Sequence, residues 1–269
     1  MDEASGWRGR LVFVGLGLNN ENGISLEGIR EAEEADIAFA ESYTSALRPG
    51  SLEEVEKRIR KRIDALTRQD VEDGVRIIES CIGRRVVLLV PGDPMTATTH
   101  VDLRLRAHRQ RIETSLVHGS STMTAVPGVL GLQHYKFGRT TTIPFPSEGY
   151  SPTSPFEIMA ENMSRGLHTL ALLDIDAENS RYMTANEGMH LLIDMERRSG
   201  KKTLGDDAIV CVVARAGSSD CVARAGRLRE LVGMDFGPPL HTLVIPGKLH
   251  FMETEALVAF AGLPPELAR

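Results

Sequence analysis

Cysteine is scarce in this chain: Cys81, Cys211 and Cys221 are its three among 269 residues. They lie far apart and form no CxxC pair, so neither a disulfide framework nor a zinc-ligand set is written here, and a reducing, cytoplasmic compartment is expected. An excess of positive charge is missing as well. The formal net charge is −6, which sets the surface as a whole against nucleic acid and anionic lipid. No apolar run reaches the length of a membrane span. The first one, "LVFVGLGL", is short, and the polar "MDEASGWRGR" ahead of it carries no cleavage pattern, so the chain is expected to be neither exported nor inserted. Low-complexity tracts and long repeats are lacking too, since the echo of "ARAG" at Ala214 and Ala223 is too short to count.

What is present is ordinary for a globular protein. Hydrophobic residues make up 42% and charged residues 25%, a balance that predicts folding throughout. At roughly 150 residues per domain, the length predicts two domains. Strand-like runs at Leu11 to Leu16, Ile37 to Ala40, Val86 to Val90 and Ile112 to Val117 alternate with segments of helical period. Leu26, Ile29, Ala32 and Ala35 mark one such segment, and Val55, Ile59 and Ile63 another. Capping signals are read at Ser51 with Glu54, and at Asp70 ahead of "VEDGVRII". Strand and helix in alternation predict a mostly parallel sheet.

Beyond Val117 the rhythm changes. The stretch "HGSSTMTAVPG" leads to further strands at Arg139 to Phe145, His168 to Ile175, Asp207 to Gly217, Ser219 to Gly226 and His241 to Gly247. Helical patterns at Phe156 to Arg165, Thr184 to Arg198 and Met252 to Ala261 separate some of them. The third and fourth of these strands follow with so short a break that an antiparallel hairpin is expected. The boundary falls near residue 121, giving an α/β first domain over 1–121 with a mostly parallel sheet and an α/β second domain over 122–269 with a mixed sheet.

Two turns could carry chemistry. "VGLGLNN", Val14 to Asn20, places two glycines directly after the first strand, where doubly wound sheets bind cofactors. The third glycine of the dinucleotide fingerprint is absent, because Asn20 stands in its place. The second turn is "PGDPMTATTH", at the end of Val86 to Val90 and on the same sheet edge. Its Asp93, set between Gly92 and Pro94, reads either as a turn cap that bonds its own backbone or as one wall of a binding pocket.

These turns, in this order and separation, resemble the tetrapyrrole methylase type (class III) of methyltransferase dependent on S-adenosylmethionine (SAM). Within it the diphthine synthase family is the closer match. "GLGL" at Gly15, "AESYTS" at Ala40, "PGDPMTATTH", "YKFGRTTTIPFP" at Tyr135, "RGLHTLALLDIDAE" at Arg165, "YMTANE" at Tyr182, "ARAGS" at Ala214 and "PGKLHFMETEAL" at Pro246 are similar to that family's motifs from about Leu11 onward. The resemblance implies two α/β domains with SAM in the cleft between them. It implies cofactor contacts at Leu18, Asp93, Thr96, Ser121, Thr122, Leu173, Ala216 and His241. It also implies methylation of the amine of a 3-amino-3-carboxypropyl histidine on translation elongation factor 2, and a homodimer. No catalytic base and no metal ligand is named.

Other readings compete. His100, His118, His134 and His250 are not spaced as metal ligands and read as structural residues. The run Arg104, Arg106, Arg109 and Arg111 reads as a solvated face or an ion-pair network, or else as a docking surface for an acidic partner. That second possibility underlies the alternative of a non-catalytic module that binds the elongation factor. A corrin-precursor methylase shares the cofactor, but "AESYTS" and "YMTANE" argue against it. A nicotinamide-dependent oxidoreductase, with Glu41 as its ribose acid, suffers from the missing glycine.

Overall fold

The computed structural model describes residues 6–41, 43, 45–177, 179–205 and 207–268, so Ser42 and Thr44 of "AESYTS" and Glu178 of "DIDAE" lie outside the described residues. The chain divides into two units, 1–122 and 123–269.

The first unit runs β1 (Gly9–Gly15), α1 (Leu26–Glu34), β2 (Ile37–Glu41), α2 (Ser51–Ile59), β3 (Ile63–Leu66), α3 (Arg68–Asp73), α4 (Val75–Ser80), β4 (Arg85–Val90), α5 (His100–Arg109) and β5 (Ile112–Val117). Its strands are all parallel, in the order β3-β2-β4-β1-β5. Leu11, Phe13, Val86, Leu88 and Val90 point into one core, and Val12, Val14, Val87 and Leu89 into another. Alternate residues thus enter two cores, so both faces of the sheet are covered. That is why these strands read as unbroken apolar runs rather than as alternating ones.

Three local expectations are corrected. Ser51 is not a cap: α2 is preceded by Gly50 in the left-handed region at φ 87°, with no side-chain cap, and Ser51 is buried inside the helix. The second capping box lies three residues earlier than expected, with Thr67 as the cap and Asp70 as its third-position partner. Ile63 keeps the period of α2, yet it starts β3, because Arg60 turns left-handed at φ 52° and ends the helix.

The second unit opens with α6 (Thr122–Leu130), a helix that the composition of "SSTMTAVPG" did not suggest and that buries its own Pro127. It continues with β6 (Thr141–Ile143), α7 (Ser154–Ser164), β7 (Thr169–Leu173), β8 (Ile175–Asp176), β9 (Arg181–Tyr182), α8 (Ala185–Ser199), β10 (Ile209–Ala214), β11 (Val222–Arg227), α9 (Leu228–Leu231), β12 (His241–Ile245) and α10 (Phe251–Ala261). The sheet order is β11-β10-β12-β7-β6, with β6 parallel to β7 and the other pairs antiparallel. The expected hairpin is β10–β11, joined through Ala214↔Val222. The small ribbon β8–β9 was too short to leave a pattern in the sequence. Again two cores form: Ala171, Leu173, Val212 and Leu243 pack with α7 and α8, while Leu170, Cys211, Val213 and Val244 pack with α6 and α10.

No helix among the described residues is long and apolar enough to cross a membrane. Cys81 and Cys211 are buried, and burial pushes the Cys81 thiol up to about 12, so it serves as a small apolar residue.

Candidate functional site

Three loops leave the carboxyl edge of the first sheet side by side, after β1, β4 and β5. The first two are tied by a reciprocal pair of hydrogen bonds, Gly17 N to the Gly92 carbonyl at 3.1 Å and Gly92 N to the Gly17 carbonyl at 2.8 Å. The third presses against them. A methyl group on Gly15 would lie 2.5 Å from Gly119 N and 2.6 Å from the Gly92 carbonyl oxygen, and one on Gly119 would strike that same oxygen. Glycine is required at this junction because backbone meets backbone there.

Asp93 sits at the centre of the junction and is 8% exposed. Its Oδ1 accepts from Met95 N at 2.9 Å and from the Thr96 hydroxyl at 3.1 Å. Its Oδ2 accepts from His118 Nδ1 at 2.7 Å and from Gly119 N at 3.3 Å. Burial raises the carboxyl pKa, but these four donors outweigh it and hold the group below its ordinary value. A carboxylate offers about four acceptor positions, and all are engaged by the protein itself. The side chain therefore shapes the turn and joins it to the loop after β5, leaving backbone atoms to face a ligand. Leu18 and Thr96 lie half-buried on the same edge, in the loops after β1 and β4. Ser121 and Thr122, also half-buried, lie after β5, where α6 begins.

In the second unit, Leu173 ends β7, Ala216 lies two residues past the end of β10, and His241 opens β12. The register Ala214↔His241 and Thr242↔Leu172 brings all three to one edge of the mixed sheet. His241 has both ring nitrogens occupied. Nδ1 accepts from Ala185 N at 3.0 Å, capping the start of α8, and Nε2 donates to the Pro238 carbonyl at 3.1 Å. Burial first, with help from the nearby Arg215 charge, keeps its pKa low and the ring neutral. Arg215 braces the same edge. From the left-handed region at φ 52° it reaches Asp220 Oδ2 at 2.7 Å and the carbonyls of Phe236 and Pro238 at 2.8 and 2.6 Å.

The eight expected residues thus collect on two sheet edges, five in the first unit and three in the second. Gly119, His118 and Arg215 were missed as parts of these edges. Gly119 had a usable signal, since it follows a parallel strand just as Gly17 and Gly92 do.

The remaining histidines are structural. His100 is buried, with Nδ1 2.9 Å from the Pro94 carbonyl; His250 caps α10; His134 stacks on Phe137. Glu41 is 1% exposed, accepts from Tyr43 N at 2.9 Å and lies 3.9 Å from His100, so it offers no acid to a ribose. Within the arginine run, Arg104 donates to Thr114 at 3.1 Å, and Arg106 pairs with Asp102 at 2.9 Å and bonds the Glu72 carbonyl at 2.9 Å. These two residues form an internal network rather than a docking surface.

Residues 10–232 match the family of Tetrapyrrole (Corrin/Porphyrin) Methylases. The chain is 46% identical over 254 residues to the diphthine synthase of Methanothermobacter thermautotrophicus, covering 94% of this chain and 96% of that one. It is 45% identical to the diphthine synthase of Methanocaldococcus jannaschii over 92% of this chain and 97% of the relative. A crystal structure of diphthine synthase superposes with a TM-score of 0.87 at 40% identity, covering 96% of this chain and 98% of that one. The chain belongs to the tetrapyrrole methylase family and, within it, to the diphthine synthases.

Proposed function

We propose that this chain transfers methyl groups from SAM to the amine of a 3-amino-3-carboxypropyl histidine on translation elongation factor 2. The observation that carries this reading is the gathering of the family's cofactor positions on two sheet edges, one of them built on the Gly15, Gly92 and Gly119 junction. The residues present suit SAM. Close-set backbone and the half-buried Leu18, Thr96, Ser121, Thr122 and Ala216 match an adenosine and the short aliphatic chain joined to it through the sulfonium, which need shape and a few hydrogen bonds. The positions that the family resemblance implies for it are Leu18, Asp93, Thr96, Ser121 and Thr122 on the edge of the first unit's sheet, and Leu173, Ala216 and His241 on the edge of the second unit's sheet. Asp93 and His241 act through the backbone they fix.

When bound, SAM supplies an electrophilic methyl carbon on a sulfonium. The protein's part is alignment, holding a neutral amine nitrogen in line with that carbon, and positioning of this kind is worth ~7–11 kcal/mol in favourable cases. Water can take the amine proton, and no side chain is assigned as the base. The reading includes a homodimer, supported by the exposed Tyr135, Phe251, Met252 and Phe260 on the second unit, and a cytoplasmic location, which suits free cysteines. The test is to incubate the protein with labelled SAM and the modified elongation factor and to follow the mass of the target peptide. A peptide that gains no multiple of a methyl mass overturns the proposal.

A further inference from the structure

The edge of the second sheet that carries Leu173, Ala216 and His241 also carries charged side chains, and nearly all are held by their own backbone. Asp174 Oδ2 accepts from Phe145 N at 2.8 Å and Oδ1 from Ile175 N at 3.0 Å. Asp176 is turned onto Asn179, at 3.2 and 2.8 Å. Asp235 accepts from Gly237 N at 2.8 Å. Arg215 is 14% exposed and committed to Asp220 and to three carbonyl groups.

Arg181 differs. It opens β9, opposite Asp176 in the β8–β9 ribbon, and Asp176 lies three residues of chain past Leu173. Its guanidinium carbon lies over the Phe145 ring, 3.8 Å from the centroid, and Phe145 is itself seated on the core beneath. The side chain is 55% exposed and its ion pair with Glu187 is a loose 3.6 Å. Glu187, in turn, gives its other oxygen to the Thr184 cap at 2.8 Å. An arginine laid on an aromatic ring has lost much of its rotamer freedom while its edge still presents paired N–H donors, and that is the arrangement that recognises a carboxylate bidentately.

We infer that Arg181, clamped by Phe145, binds the carboxylate of the aminocarboxypropyl group on the acceptor. The inference rests on the proposed acceptor, which places a carboxylate on the same carbon as the amine to be methylated. Anchoring the carboxylate fixes the direction of that amine and leaves the growing ammonium free to turn away from the guanidinium. SAM also carries a carboxylate, but the family's SAM positions on this edge stop at Leu173, Ala216 and His241, and Arg181 lies on the ribbon beyond them.

The test uses the full chain, the elongation factor bearing the aminocarboxypropyl histidine, and labelled SAM. Wild type, Arg181→Gln, Arg181→Lys and Phe145→Leu are compared for acceptor KM, kcat, SAM affinity by calorimetry and melting temperature. Arg181→Gln raises acceptor KM by about 10- to 150-fold, with SAM affinity and melting temperature unchanged. Arg181→Lys recovers part of the loss, and Phe145→Leu raises KM by about two- to fivefold. An Arg181→Gln enzyme whose acceptor KM stays within about twofold of wild type overturns the inference. So does one that loses SAM affinity at constant acceptor KM, which assigns the guanidinium to the cofactor's carboxylate. A parallel fall in melting temperature and in both affinities overturns it in favour of a structural clamp. Wild type that binds SAM but methylates nothing removes the proposed acceptor and this inference together, and it does so before any variant is made.

Discussion

His118 Nδ1 stands 2.7 Å from Asp93 Oδ2, although the strands that lead to these two residues, β4 and β5, are not neighbours: β1 runs between them. The bond therefore closes over the end of β1, where Gly15 leaves room for it. A carboxylate pinned between Gly92 and Pro94 is there to shape its own turn and to tie it to the loop after β5.

Replacing Asp93 by alanine should thus lower stability by about 1–3 kcal/mol, because Met95 N and Gly119 N lose their acceptor in a part-buried place. SAM affinity should fall with it, since the same loops face the cofactor. Thermal melts and calorimetry on one variant check this. Undiminished melting with lost affinity would show instead that the carboxylate touches SAM itself.

Two glycines offer a contrast of sign. Gly15→Ala puts a methyl group 2.5 Å from Gly119 N and 2.6 Å from the Gly92 carbonyl, and backbone cannot move aside there, so about 1–3 kcal/mol of stability should be lost along with SAM binding. Gly128→Ala lies within α6 with no atom within 4 Å of the new methyl. It should stabilise by about 0.5–1 kcal/mol. Denaturant midpoints of the two variants should move in opposite directions.

Arg215→Ala should loosen the loop of Phe236 to Pro238, whose carbonyls the guanidinium holds at 2.8 and 2.6 Å. The neighbouring Ala216 and His241 are expected to hold SAM, so its affinity should weaken by about tenfold or more. Calorimetry reads this directly, and an unchanged affinity counts against a role for that edge in cofactor binding.

Glu253 supplies a pH dependence. It is fully buried, and burial alone would raise its pKa, but Lys136, the amides of His250 and Gln133, and His168 draw it from 4.5 down to about 2. The native state therefore holds the charge where the unfolded chain would take up a proton. Its contribution is complete above about pH 4.5 and is lost as pH falls toward 2, and it amounts to something on the order of 3 kcal/mol at 1.36 kcal/mol per unit. Melting curves of wild type and Glu253→Gln should differ most near neutral pH and converge in acid. A gap that stays constant from pH 7 to about 2.5 would contradict this sign.

The sheets were legible in the sequence because their strands are buried on both faces and stand out as apolar runs: Leu11 to Leu16 and Val86 to Val90 lie where composition placed them. Helix ends were less so. Ser51 and Asp70 have the chemistry of caps, but Gly50 and Thr67 took those places, since backbone geometry decides which polar residue starts a helix. Ile63 kept a helical period across a chain reversal at Arg60, which no periodicity can register. The residues of the two edges came from a family resemblance rather than from spacing. The partners that fix them, His118 to Asp93 and Ala185 to His241, were invisible because hydrogen bonds across 25 and 56 residues leave no local pattern.

The place of β1 between β4 and β5 has a consequence for how this chain comes into being. Gly9 pairs with Ile112 on one side and Arg10 with Arg85 on the other, so the first strand to be synthesised is also one of the last to find both neighbours. Until β5 has emerged from the ribosome, the apolar Leu11 to Val14 has no complete sheet to enter. Closing so long a loop costs entropy before any contact repays it. The nascent first unit must wait, with its most insoluble segment exposed, for a strand about a hundred residues later, and a chain truncated before Val117 should aggregate rather than form a smaller version of the fold.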